Sequence, residues 1–185
     1  MKVIKILRSE QEIIDRFLAI FGLGAVRAAQ SRPVQPSYFL YGYNFIQGYI
    51  EAGYFKKEEV LLKLLEDSGL EADSGPLGHM FSEIKQTHEL SAEIVSAARQ
   101  WQGGDPEGRN NIVWSTTSYT SMMRQHFERS RNIIFPLAEQ LIPPDDEYKI
   151  AEAFNRIVFD GAEAPPPEHY EKIIKDLELE AAEWN

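Results

Sequence analysis

Glu58 stands in the middle of an apolar helical stripe. Stepping back from Leu65 in helical intervals, Leu65, Leu61, Tyr54 and Ile50 share one face, and Glu58 lies at its centre. A carboxylate in that place is costly unless it is paired, protonated or bound to a metal. Lys57 and Glu59 are its neighbours in sequence, so they point elsewhere on the helix. The partner must therefore come from another helix, and His126 is the natural one, because mutual attraction opposes the cost of burying both charges. Other polar residues fall on inward stripes in the same way: Gln11, Tyr54, His88, His126 and Ser130. Side chains of these types, brought to one level from facing helices, are the material of cofactor and metal sites. Each also has a purely structural role open to it. A core histidine can be satisfied by hydrogen bonds, an inward tyrosine packs while its hydroxyl finds a partner, and a mid-helix serine bonds the carbonyl of the preceding turn. His79 and Glu83, one turn apart but off the inward stripe, read as a surface helical contact. His169 reads as exposed.

Four long segments with helical periodicity must position these residues. They run from about Ser9 to Ala29, from Ser37 to Asp67, from "SGPLG" to "GGDPEGRNN", and from Ile112 to Leu141. The third carries Met80, Ile84, His88, Ser91, Val95 and Ala98 inward. The fourth carries Tyr119, Met122, Met123, His126, Ser130, Ile133 and Leu137. "SRPVQPS", Ser68-Gly69 and "IPPDDE" are the breaks between and after them. A shorter helix follows, about Asp146 to Phe159, then the linker "DGAEAPPPEH" and a last helix, "EHYEKIIKDLELEAAEW". Its Tyr170, Ile173, Ile174 and Leu177 suit either the outside of the other helices or another subunit. Alternating β-branched runs are absent, which argues against strands. The expectation is an all-α, up-down four-helix bundle over 1–142, with a C-terminal helical extension over 143–185 that packs on the bundle or on a partner. The aromatic run "SYFLYGYNF" reads as core aromatics, with a ligand pocket or interface as the other use.

Composition narrows the function. The chain has 185 residues, 43% of them hydrophobic, enough for a sizeable core. Its net charge of −10 and pI near 4.9 argue against nucleic acid and anionic membrane as partners. Without cysteine there is no disulfide, zinc–thiolate or thiol chemistry. The N-terminal "MKVIKILRSEQEIID" lacks the features of a signal peptide, and no run reaches the length of a membrane span. A cytoplasmic protein is the expectation.

The quoted segments resemble the hemerythrin-type, or HHE cation-binding, domain. "EQEIIDRFLAIF" resembles the first helix of that family, a Glu-His followed by an Ile/Leu stripe. "FIQGYIEAGYFKKEEVLL" resembles the second, with its His-His-x-Lys-Glu-Glu. "SGPLGHMFSEIKQTHEL" resembles the third, with a Gly-Pro start and Met-x-x-Glu-His centre. "MMRQHFERSRNIIFPLAEQL" resembles the fourth, Gln-His-x-x-Lys-Glu-x-x-x-Leu-Phe-Pro. The match covers roughly residues 9–157. It implies a pair of iron ions, or another metal pair, held between four helices by histidines and carboxylates. Carried over position by position, the first-helix His is Gln11 and the second-helix His is Tyr54, while the carboxylate one turn later is kept as Glu58. The third-helix His is Ile84, with His88 one turn beyond. The fourth-helix His is kept as His126, and its following carboxylate is Ser130.

Those replacements are too few and too weak in donors for two hard cations. The expectation is a degenerate relative, without a cofactor, that acts as a non-enzymatic binding or regulatory module for a protein or small-molecule partner, as a monomer or homo-oligomer. The alternative is one iron or zinc ion on Glu58, His126 and His88, with Tyr54 as a further donor, sensing oxygen, nitric oxide or redox state. An enzyme ranks last, since no activated nucleophile, phosphate loop or paired-carboxylate arrangement is visible.

Overall fold

A computed structural model describes residues 1–160 and 165–184; part of the expected linker "DGAEAPPPEH" lies outside the described residues. Among the described residues there are six helices of seven residues or more and no strand. They are α1 (Lys2–Ala29), α2 (36–67), α3 (Gly75–Gln102), α4 (107–141), α5 (Glu147–Asp160) and α6 (Pro167–Ala182). No helix among them is long and apolar enough to cross a membrane.

The boundaries follow local chemistry. Pro36, Pro76 and Pro167 sit in first turns, where a missing N–H costs nothing. Gly69, at φ +101°, follows the end of α2, a left-handed conformation that favours glycine. Two helices begin earlier than periodicity predicts. α1 starts at Lys2 because Glu147, at the start of α5, accepts the backbone N–H groups of Lys2 and Val3. That cap comes from the far end of the chain. α4 starts at Glu107, whose N–H is taken by the Asp105 carboxylate at 3.0 Å.

α2 and α4 are each interrupted by a stretch of wider π turns, Ile46–Tyr54 and Ser130–Ile134. α4 packs along α3 and α1, and the first part of α2 packs on α3. α5 lies against α1 and the end of α2, and α6 against α1 and the start of α2. Ile150, Phe154, Ile173, Ile174 and Leu177 all join the one hydrophobic core. The apolar face of α6 thus covers its own chain, clamped at the rim by the fork of Arg16 on Glu178 and Glu171.

The aromatic run goes mostly inward. Tyr38, Phe39 and Phe45 are buried, and Phe45 stacks on Phe17 with ring centroids 4.3 Å apart.

Candidate functional site

The polar residues of the core form one connected network. His126 is fully buried, and both of its ring nitrogens meet carboxylates. Nε2 lies 2.5 Å from Glu58 Oε2, and Nδ1 lies 3.1 Å from Glu83 Oε2. Two acceptors need two donors, so the ring is an imidazolium. Burial alone disfavours that charge, but the attraction and hydrogen bonds of Glu58 and Glu83 overcome it, and the pKa rises to about 9. For Glu83, burial pushes the carboxyl up, while hydrogen bonds from His126, Arg129 and Gln125 prevail and bring it to about 2.

Glu58 is fully buried and fully used. Its Oε1 accepts the Tyr54 hydroxyl at 2.7 Å and the Ser130 hydroxyl at 2.8 Å, and its Oε2 takes the His126 ring. The Tyr54 oxygen in turn accepts Gln11 Nε2 at 2.7 Å. Gln11 Oε1 accepts Arg131 Nε at 2.8 Å, and Arg131 reaches Asp15 at 2.5 Å. At the other end, Glu83 Oε1 accepts Gln125 at 2.9 Å and the Arg129 guanidinium at 3.0 and 3.1 Å. Burial first, and the Glu58 charge second, drive the Tyr54 pKa well above its ordinary value, so the side chain is a phenol and not a phenolate. The charges of Glu58, Glu83, His126 and Arg129 balance, which is the condition for burying ions at tolerable cost.

All four long helices contribute. Gln11 comes from α1, Tyr54 and Glu58 from α2, Glu83 from α3, and His126 and Ser130 from α4. Both π stretches adjoin the network, since Tyr54 ends one and Ser130 begins the other. A wider turn fits more residues than an α turn, which keeps the four-residue series Ile46, Ile50, Tyr54, Glu58 on one buried line. In α4 the same widening carries the buried line to Ile134, Phe135 and Ala138, whereas the sequence pattern extends it to Ile133 and Leu137.

α3 has no such correction, and there two expectations need revising. A regular helix turns about 100° per residue, so the double step 80→84→88 drifts about 80° off the line. His88 therefore sits at the rim, its side chain 44% exposed and its Nδ1 3.2 Å from Glu51, which also takes the Ser91 hydroxyl. The inward line runs through Met80, Glu83, Thr87, Ser91 and Ile94. Glu83, expected on the surface with His79, is buried against His126, while His79 is exposed. The signal that could have revealed it is the single buried imidazole with two ring nitrogens to satisfy. His169 is exposed, at the start of α6.

The donor set does not fit a metal pair. Gln11, Ile84 and Ser130 stand where the resemblance calls for strong ligands, and His126, donating from both ring nitrogens, has no free lone pair. Glu58 and Glu83 approach the imidazole through different ring nitrogens, and among the described residues no three His, Asp or Glu side chains gather to hold an ion. Of the expected set Glu58, His126 and His88, the first two meet at 2.5 Å, while His88 stands apart at the rim with Glu51. No protein-family profile, curated protein or solved structure matches the chain.

Proposed function

We propose that this chain is a hemerythrin-like, up-down four-helix bundle with a C-terminal helical extension, in which an ion-paired network takes the place of the metal pair. It works as a non-enzymatic binding or regulatory module. One observation carries the proposal: Gln11, Tyr54, Glu58, His126 and Ser130, five positions that the resemblance assigns to ligands, meet in one hydrogen-bonded cluster in the core. The protonated His126 supplies positive charge between two carboxylates, the electrostatic office a cation would otherwise fill. Gln11 and Tyr54 extend the cluster by hydrogen bonding rather than ligation.

Metal analysis of freshly purified protein tests this. The expected result is substoichiometric iron and zinc, the same in wild type, Glu58→Ala and His126→Ala. Ferrous iron added in air should produce no oxo-bridged absorption band. About one equivalent of iron or zinc, lost in both variants, would establish the mononuclear alternative instead; an oxo-bridged band would establish the metal pair.

A further inference from the structure

Two stretches of the chain carry no charge, although 26% of its residues are charged: residues 17–26 of α1 and 110–123 of α4. They lie side by side, because α4 packs along α1. Leu23 is 51%, Val26 52% and Trp114 60% exposed on this pair of helices. Single exposed apolar residues are ordinary, but several on one uncharged face mark a contact surface. Of the three tryptophans, Trp101 lies beneath the Arg109 guanidinium and Trp184 beneath that of Arg27, whereas Trp114 meets no ring and no cation among the described residues.

We propose that this α1–α4 face is where two copies of the chain associate about a two-fold axis, the Trp114 indole of each seated over Gly22 of the other, beside Leu23 and Val26. The proposal stands apart from the reading of the core, since no residue of the buried network belongs to either stretch.

Shape supports a second copy. A self-complementary interface needs a projection and a recess on the same face. Trp114 is the projection. Gly22 is the recess, since a Cβ there would approach another helix only at the Thr120 methyl, 3.9 Å away.

Charge supports it too. Each copy carries −10, so two copies repel over most approaches. They meet at least cost through faces with no charge to desolvate or oppose. A basic partner would be drawn to carboxylates, and neither stretch has one. The arginines at the edge are turned away. Arg27 donates to the Trp184 carbonyl at 2.9 Å, and Arg109 to the carbonyls of Ala28 and Arg32 at 3.0 and 2.8 Å. The two stretches are about 15 and 21 Å long and together about 20 Å wide. A footprint on the order of 400 Å² per copy is that of a weak, transient interface.

The test is sedimentation equilibrium of the full-length protein from about 10 µM to about 1 mM, the range a weak interface requires. Wild type should form a reversible dimer. Because the copies repel and the contact holds no ion pair, added salt should tighten it. Trp114→Ser and Val26→Glu should each weaken it at least about tenfold. Leu179→Glu is the charge-matched control, 66% exposed on α6, and should dimerise like wild type. In a mixture of ¹³C-labelled and unlabelled wild-type chains, filtered NOEs should join Trp114 ring protons to Leu23 or Val26 methyls; they decide the matter should a variant not fold. The proposal is overturned if wild type stays monomeric at the highest concentration, if either face variant dimerises as well as wild type, if Leu179→Glu weakens the dimer equally, or if salt weakens it. Capture of a different protein through Trp114 by a monomeric wild type would also overturn it and give the face to that protein. Iron found in the core would remove the module reading and leave these results untouched.

Discussion

Replacing Glu58 and His126, singly and together, asks whether the charged core acts as one unit. In Glu58→Leu, His126 Nε2 loses its carboxylate and the Tyr54 hydroxyl loses its acceptor. In His126→Leu, Glu58 keeps two hydroxyl donors but loses its cation. Removing one member of a buried ion pair costs about 3–5 kcal/mol, so each single variant should lose about that much. Independent losses would then total about 6–10 kcal/mol, most of the stability of an ordinary domain. The network predicts a different double variant. Glu83 still has Arg129 and Gln125, and Ser130 still has the backbone carbonyl of position 126 at 3.0 Å. The Tyr54 proton is left without its acceptor, at about 1–3 kcal/mol. We therefore predict that Glu58→Leu/His126→Leu loses no more than either single change, a coupling of at least about 3 kcal/mol. Urea unfolding followed by far-UV circular dichroism measures all four proteins, with the m-value checked for constancy. A double variant that loses the sum of the singles would refute the coupled core.

The remaining predictions concern pH and helix contact. The His126 pKa is raised to about 9 from an ordinary 6.5, so its contribution is complete below about pH 6.5 and is lost as pH rises through 9. Ionisation of tyrosine in the unfolded chain begins to matter only near pH 10, so a decline in stability between pH 7 and 9 belongs to His126. His126→Gln should flatten it in pH-resolved urea titrations, and a decline that survives in the variant contradicts the assignment. Glu83, lowered to about 2 from 4.5, contributes above pH 4.5 and loses that contribution as pH falls toward 2; Glu83→Gln should flatten that part of the acid limb. Gly108→Ala places a Cβ 2.3 Å from the Trp101 backbone nitrogen, which cannot yield without moving α3. A cost of about 1–3 kcal/mol is expected by thermal melting, against no loss for Gly22→Ala, where a Cβ meets only Thr120 at 3.9 Å. Equal melting temperatures would mean that the α3–α4 corner is looser than described.

Much of the core was legible from residue order. Leu7, Gln11, Ile14, Leu18 and Phe21 are spaced for one face of α1, and all are buried. Ile50, Tyr54, Glu58, Leu61 and Leu65 do the same on α2. Such spacing is a property of one helix and its solvent contrast, so a one-dimensional pattern carries it. The start of α1 was not legible, because the carboxylate that caps it belongs to Glu147, more than a hundred residues away.

By itself, then, the chain determined that it is helical, and that Gln11, Tyr54, Glu58, His126 and Ser130 face inward. Tertiary structure decided which of them meet, and with what. It brought Glu83 to His126, left His88 at the rim with Glu51, and stationed the π stretches beside Tyr54 and Ser130. The physical reason is that a side chain's face depends on its own helix's periodicity, whereas its partner depends on how far neighbouring helices are rotated and slid against one another. Packing of the whole core sets those rotations and heights, and a local widening of one turn is enough to change them.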